Sequence, residues 1–145
     1  MKRTNIFAPE FDHESAREGY RWRGARVGKA IGGRKIGASI YELPDGEKTY
    51  PFHFHHALEE WAIVLEGTPT LRDPEGEREL RRGDVVCFPT GEQGAHQLRG
   101  PGTVMILSAS RPLEVTEYPD SGKIGVSHPR KIFRLADAGQ YWDGE

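Results

Sequence analysis

The run His53-Phe54-His55-His56-Ala57-Leu58-Glu59-Glu60 constrains this chain more than any other stretch. On an extended strand, side chains two apart share a face, so His53 and His55 emerge together about 7 Å apart. After a short bend, Glu60-Trp61-Ala62-Ile63-Val64-Leu65 predicts a buried strand that ends at Glu66-Gly67. Its first residue, Glu60, then stands beside the two imidazoles. Alternation sets Glu60, Ala62 and Val64 on one face and turns Glu59 away, just as it turns His56 away from His53 and His55. A zinc-protease helix is excluded, because Ala57 occupies the position where the second histidine would have to be.

Further along, Arg82-Gly83-Asp84 reads as a tight turn and Val85-Val86-Cys87-Phe88 as a short apolar strand. Pro89-Thr90-Gly91 reads as a second turn, which leaves His96 at the start of another strand. The same punctuation recurs elsewhere. Asp73-Pro74-Glu75-Gly76 between Thr70-Leu71-Arg72 and Glu77-Arg78-Glu79-Leu80 predicts a hairpin, and Thr103 to Ala109 is the most apolar strand. Gly32-Gly33 splits two β-rich runs between Arg21 and Leu43, as a hairpin turn would. Met1 to Tyr20 reads as an irregular arm anchored by scattered aromatics. Leu135 to Glu145 reads as a helical turn or an arm whose Tyr141 and Trp142 dock on the body. Gly122-Lys123 lacks the glycine and the following Ser or Thr of a phosphate loop and is a plain turn. With 18 Gly and 10 Pro, the chain is built for many short strands and tight turns.

A length of 145 residues sets one domain with a real core. Twenty basic and 22 acidic side chains leave a formal charge of −2, which offers no electrostatic case for nucleic acid or an acidic membrane. No apolar stretch approaches the ~20 residues of a membrane span, and Met1-Lys2-Arg3-Thr4-Asn5 is not followed by a signal-type apolar region; a cytoplasmic location is the expectation. Cys87 is the only cysteine, so no disulfide forms within the chain, and its apolar run predicts a buried structural thiol.

Two motifs resemble those of the cupins. Gly46, His53, His55, Glu60 and Gly67 match the first, with a spacer one residue longer than usual, and Gly83, Pro89, Gly91 and His96 match the second. The loop before His96 is two residues longer than the pattern, and Gly100 stands where asparagine is expected. The resemblance covers about residues 36 to 110 and implies an all-β double-stranded β-helix, a jelly-roll barrel. N-terminal strands (1–35) and a C-terminal extension (111–145) would pack on it. It also implies that His53, His55, Glu60 and His96 line the mouth around one divalent ion. Zn, Mn, Fe and Ni all suit that donor set, and donor type alone does not choose among them.

If Glu60, Ala62 and Val64 face the interior, Trp61, Ile63 and Leu65 face out and need a cover. Either the N-terminal strands or a second subunit supplies it, and a homodimer is expected. Functionally, the chain reads as a metal-dependent enzyme acting on a small polar molecule that chelates the ion, such as a dioxygenase, isomerase or lyase. Tyr50, Gln97 and the Glu59/His56 pair are its supporting or acid–base groups. Arg99 and Lys48 are ambiguous as cations aimed into the barrel. The alternative is a non-catalytic sensor or structural module that binds a metal or small molecule, because a fold and a donor set do not fix a reaction.

Overall fold

The computed structural model describes residues 1–110 and 112–145. Its strands are β1 (His13–Arg17), β2 (Tyr20–Ala25), β3 (Ile36–Leu43), β4 (Phe54–His55), β5 (Glu60–Gly67), β6 (Thr70–Asp73) and β7 (Gly76–Glu79). They continue with β8 (Val85–Phe88), β9 (Gln97–Arg99), β10 (Gly102–Ala109), β11 (Val115–Tyr118), β12 (Lys123–Val126) and β13 (Lys131–Arg134). One helical turn, α1 (Val27–Ala30), separates β2 from β3.

Every pairing is antiparallel. Six strands order as β1-β2-β3-β10-β5-β8, four as β13-β12-β11-β4, and three as β7-β6-β9. This is the all-β jelly-roll expected, and the Asp73–Gly76 turn closes the β6–β7 hairpin as read. The main core lies between the long sheet and the three-stranded one. Tyr41, Leu43, Ala62, Val64, Phe88 and Val104 from the first meet Leu71 and Leu98 from the second. Leu71, Leu98 and Val104 have no exposed surface.

The pairing register carries the inward row of the long sheet from apolar to polar. Val104 lies opposite Val64 and Tyr41, Ile106 opposite Ala62 and Ser39, and Ser108 opposite Glu60 and Gly37. Because alternate residues share a face, the same row that fills the core at one end lines a polar cavity at the other. The site sits where hydrophobic packing stops.

Several expectations change. Met1 to Tyr20 is not an arm throughout, since β1 pairs with β2 along its whole length. Gly32 does take a positive φ of 85°, but the connection holds α1 rather than being a simple hairpin, and β2 pairs with β3 through Arg23–Glu42 and its neighbours. Segment 111–145 contributes strands, with β11 pairing directly with β4. Tyr141 and Trp142 stay 86% and 76% exposed and pack edge-to-face on each other rather than on the body. Cys87 is exposed, not buried: β8 is the edge strand of its sheet, and alternation turns Phe88 inward and Val85 and Cys87 outward. No helix is long and apolar enough to cross a membrane among the described residues.

The outward face of β5 is covered in part by the chain itself. Leu65 is buried and Ile63 packs with it against Ala25, Val27 and Ile40, while Trp61 remains 44% exposed.

Candidate metal centre

Three strands deliver the four side chains singled out from the sequence. His53 precedes β4, His55 ends it, Glu60 opens β5, and His96 precedes β9. His53 and His96 are linked by an antiparallel bridge in which each backbone N–H donates to the other's carbonyl, at 3.2 and 2.9 Å. Directly opposed residues of such a pair put their side chains on one face. The two rings are 4.6 Å apart, and the His55 ring is 5.0 Å from that of His53.

Glu60 completes the cluster. Its Oε2 lies 3.2 Å from His55 Nε2 and 3.4 Å from His96 Nε2. Donor atoms of His53, Glu60 and His96 fall within 4.8 Å of one another. His55 joins through its contact with Glu60, and its ring stands farther from His96, at 6.3 Å.

The imidazoles are held in a single orientation. Nδ1 of His53 donates to the Pro51 carbonyl at 2.8 Å, and Nδ1 of His96 donates to the Gly94 carbonyl at 2.9 Å. A carbonyl only accepts, so the hydrogen sits on Nδ1 and the neutral ring keeps a lone pair on Nε2. For His55 the Nδ1 partners are Thr116 Oγ1 at 3.3 Å and Glu114 Oε1 at 3.4 Å. The Phe88 ring stacks on His96 at 3.8 Å, fixing its plane. Nε2 of His55 and of His96 are buried and lack a hydrogen-bond partner, although both sit at ion-pair distance from Glu60. Buried polar atoms without partners are costly. A cation among these donors satisfies them, and a set of neutral imidazoles plus one carboxylate has the right chemistry for a divalent transition metal.

Electrostatics favours a neutral His53 and an ionised Glu60, and acts the other way on His55. Burial, reinforced by the charges of His96 and His55, holds the His53 imidazole down at about 4, so it is neutral at pH 7. Burial pushes the Glu60 carboxyl up, but the adjacent His55 and His96 rings more than offset this and hold it at about 2. Burial pulls His55 down, and the Glu60 and Glu114 carboxylates overcome it, so its net shift is upward.

The remaining expectations divide. Glu59 faces outward and accepts from Trp61 Nε1 at 2.8 Å, and His56 meets Glu117 on the exposed side at 3.3 Å, both as alternation required. Tyr50 lines the cavity, its hydroxyl 3.0 Å from that of Tyr41, and Gln97 braces it by donating to the Tyr50 carbonyl at 2.9 Å. Arg99 pairs with Glu77 and Lys48 lies over the Tyr20 ring, so neither points into the cavity. Gly100, where asparagine was expected, tolerates no side chain, because a Cβ there would collide with the Pro44 carbonyl oxygen. The longer loop before His96 is a single 3-10 turn, Glu92–Gly94, ending at the glycine whose carbonyl orients His96.

Four site residues had no signal in the motifs. Glu114, Thr116, Tyr118 and Arg130 all lie C-terminal to them, and the last three line the cavity of about 360 Å³ above the histidines. Tyr118 stacks on His53 at 6.0 Å. Alternation within Glu114-Val115-Thr116-Glu117-Tyr118 puts Glu114, Thr116 and Tyr118 on one face, a pattern visible in the sequence but uninformative without the β4–β11 pairing.

Packed antiparallel sheets whose inner rows end in three histidines, a glutamate and a polar cavity define a jelly-roll protein with its candidate site at one end of the core. The chain belongs to the cupin superfamily, with residues 39–110 matching the family described as cupin domain. Two solved structures share the fold over nearly the full length. One is a sugar phosphate isomerase of the cupin superfamily from Silicibacter pomeroyi, with 23% identity, 98% of each chain covered and a TM-score of 0.81. The other is a proposed sugar phosphate isomerase from Acidithiobacillus ferrooxidans, with 23% identity, 93% of this chain and 90% of that chain covered, and a TM-score of 0.80. The polyketide cyclase RemF from Streptomyces resistomycificus is also similar, with 23% identity, 79% and 83% coverage and a TM-score of 0.59. No curated protein matches the chain at a significant level.

Proposed function

We propose that the protein is a metal-dependent enzyme in which His53, His55, Glu60 and His96 hold one divalent ion, and that its substrate is a small polar organic molecule that chelates that ion. The observation that carries this reading is the pair of buried, partnerless Nε2 atoms facing an ionised Glu60, inside a cavity whose lining also includes several hydroxyl-bearing side chains. When bound, the ion supplies Lewis-acid polarisation of a substrate oxygen.

The chain's own groups do the rest. Pro51 and Gly94 carbonyls and the Glu114 carboxylate orient the imidazoles, which raises their basicity as ligands. Burial keeps the Tyr50 phenol protonated far above its ordinary range, with Tyr41 adding to the effect, so Tyr50 presents a hydrogen-bond donor at the cavity wall. Ser39, Ser108 and Thr116 offer further hydroxyls for an oxygen-rich substrate, and the sugar phosphates in the names of two structural neighbours belong to that broad class.

Elemental analysis of the purified protein, followed by reconstitution with Zn, Mn, Fe or Ni and turnover assays on chelating hydroxy-acids, oxo-acids and diketones, tests this. Stoichiometric metal with turnover supports the enzyme. Metal and ligand binding without turnover would select the non-catalytic alternative.

The protein is also proposed to be a homodimer. Ile36 is 63% exposed, Trp61 44% and Val85 54%, and Ile36, Trp61 and Leu107 line a shallow apolar cleft on the outer face of the long sheet. A second copy covers such a face at little cost. Light scattering at micromolar concentration checks the mass.

A further inference from the structure

Arg130 lines the same cavity as His53, His55, Glu60 and His96, and apart from the histidines it is the only cationic side chain that does so among the described residues. It sits in the turn between β12 and β13, outside the residues that match the family. Arg21, Arg23, Arg26, Arg72 and Arg99 are each matched to a carboxylate. Arg130 has neither an ion-pair partner nor a hydrogen-bond partner among the described residues. Its charge is nonetheless felt at the phenols of Tyr50 and Tyr118, which flank the histidines on the cavity wall. Among the described residues the only carboxylate lining the cavity is that of Glu60, and His55 and His96 already face it.

A guanidinium has five donors in a planar fork suited to a carboxylate or phosphate. Arg130 is exposed and lines the cavity that holds the histidines, so a ligand that reaches both must carry its own negative group away from the chelating end.

We propose that Arg130 is the specificity-determining residue for a second, anionic group on the substrate, placed beyond the oxygens that chelate the ion, with the Tyr118 and Tyr50 hydroxyls beside it. The substrate class is therefore a chelating hydroxy-acid or polyol that bears a distal carboxylate or phosphate. This rests on the reading of the four-residue metal centre given above.

Two matched probes isolate the distal charge. Malate and 2-hydroxybutanoate share the chelating 2-hydroxycarboxylate and differ in a distal carboxylate against a methyl. Glycerate and 3-phosphoglycerate pose the same question for phosphate. Titration calorimetry is run on zinc-loaded and on chelator-treated protein, wild type and R130Q, with zinc content measured first. Malate or 3-phosphoglycerate is expected to bind the wild type about tenfold more tightly than the matched probe that lacks the distal charge. In R130Q that preference collapses towards unity while zinc content and affinity for the probes without a distal charge stay unchanged, and R130K recovers part of it. A preference of equal size in R130Q, or none in the wild type, overturns the assignment. Absence of zinc from the wild type overturns the metal centre instead, and the charge preference is then decided in the chelator-treated protein.

Discussion

His53 and His96 lie 43 residues apart in the chain and directly opposite each other in space, exchanging both backbone hydrogen bonds, with their rings 4.6 Å apart. The bridge joins the two sequence motifs into one site. It makes the positions of these rings a property of the backbone rather than of flexible side chains, because each is anchored at its own Cα and again through Nδ1.

Removing one donor should empty the centre without unfolding the barrel. We predict that His55→Ala lowers bound metal at least tenfold by elemental analysis, with an unchanged circular dichroism spectrum, since His55 lies at the cavity and not in the aliphatic core. Full metal occupancy in this variant would show the ligand set to be wrong.

Glu114 never touches the cavity's donor atoms directly, yet its Oε1 lies 3.4 Å from His55 Nδ1 and accepts from the His56 backbone N–H at 3.1 Å. Glu114→Gln should weaken metal affinity by about 10- to 100-fold, measured by competition with a chelator. Equal affinity would mean that Thr116 alone orients the ring.

The metal-free protein should lose stability as pH falls from 6.5 to 4. His53 is held at about 4 in the fold, from a starting value of 6.5, so over this window the unfolded chain takes up a proton that the folded one refuses. His55 shifts upward, so its stabilising contribution is already complete below 6.5 and does not offset the decline. Glu60, lowered from 4.5 to about 2, adds its own loss only at lower pH. Thermal melts of chelator-treated protein should therefore fall steadily over the window; a flat melting temperature would refute the buried, neutral His53.

Leu98 has no exposed surface and bridges the two faces of the core with Leu71. Leu98→Ala should cost about 2–5 kcal/mol in denaturant unfolding. A loss below about 1 kcal/mol would mean that the neighbours collapse into the space.

Cys87 should react in the folded state. It is exposed on the edge strand, while burial and the nearby Glu59 raise its thiol above the ordinary range. One equivalent of a thiol reagent should be consumed without denaturant, more slowly than in the unfolded chain. No reaction until unfolding would place another surface over β8.

The residues nearest the proposed ion were legible because their constraint is local. Strand alternation from His53 to His55, and from Glu60 through Ala62 to Val64, assigns faces without knowledge of the partners, and the resulting Glu60-over-Glu59 and His55-over-His56 choices match where these side chains lie. The same logic misread Cys87, because an apolar strand at a sheet edge has one face with no cover, and edge position is set by the order of strands rather than by the strand itself.

By itself, then, the sequence determined the β-rich architecture, the turns, and which of the neighbouring histidines and glutamates share a face, since these follow from backbone periodicity over a few residues. Only the tertiary structure decided what surrounds them. Glu114 behind His55, Tyr118 on His53 and Arg130 at the rim arrive through the pairing of β11 with β4 and the meander that follows. That pairing depends on contacts some sixty residues apart, for which short-range periodicity carries no information.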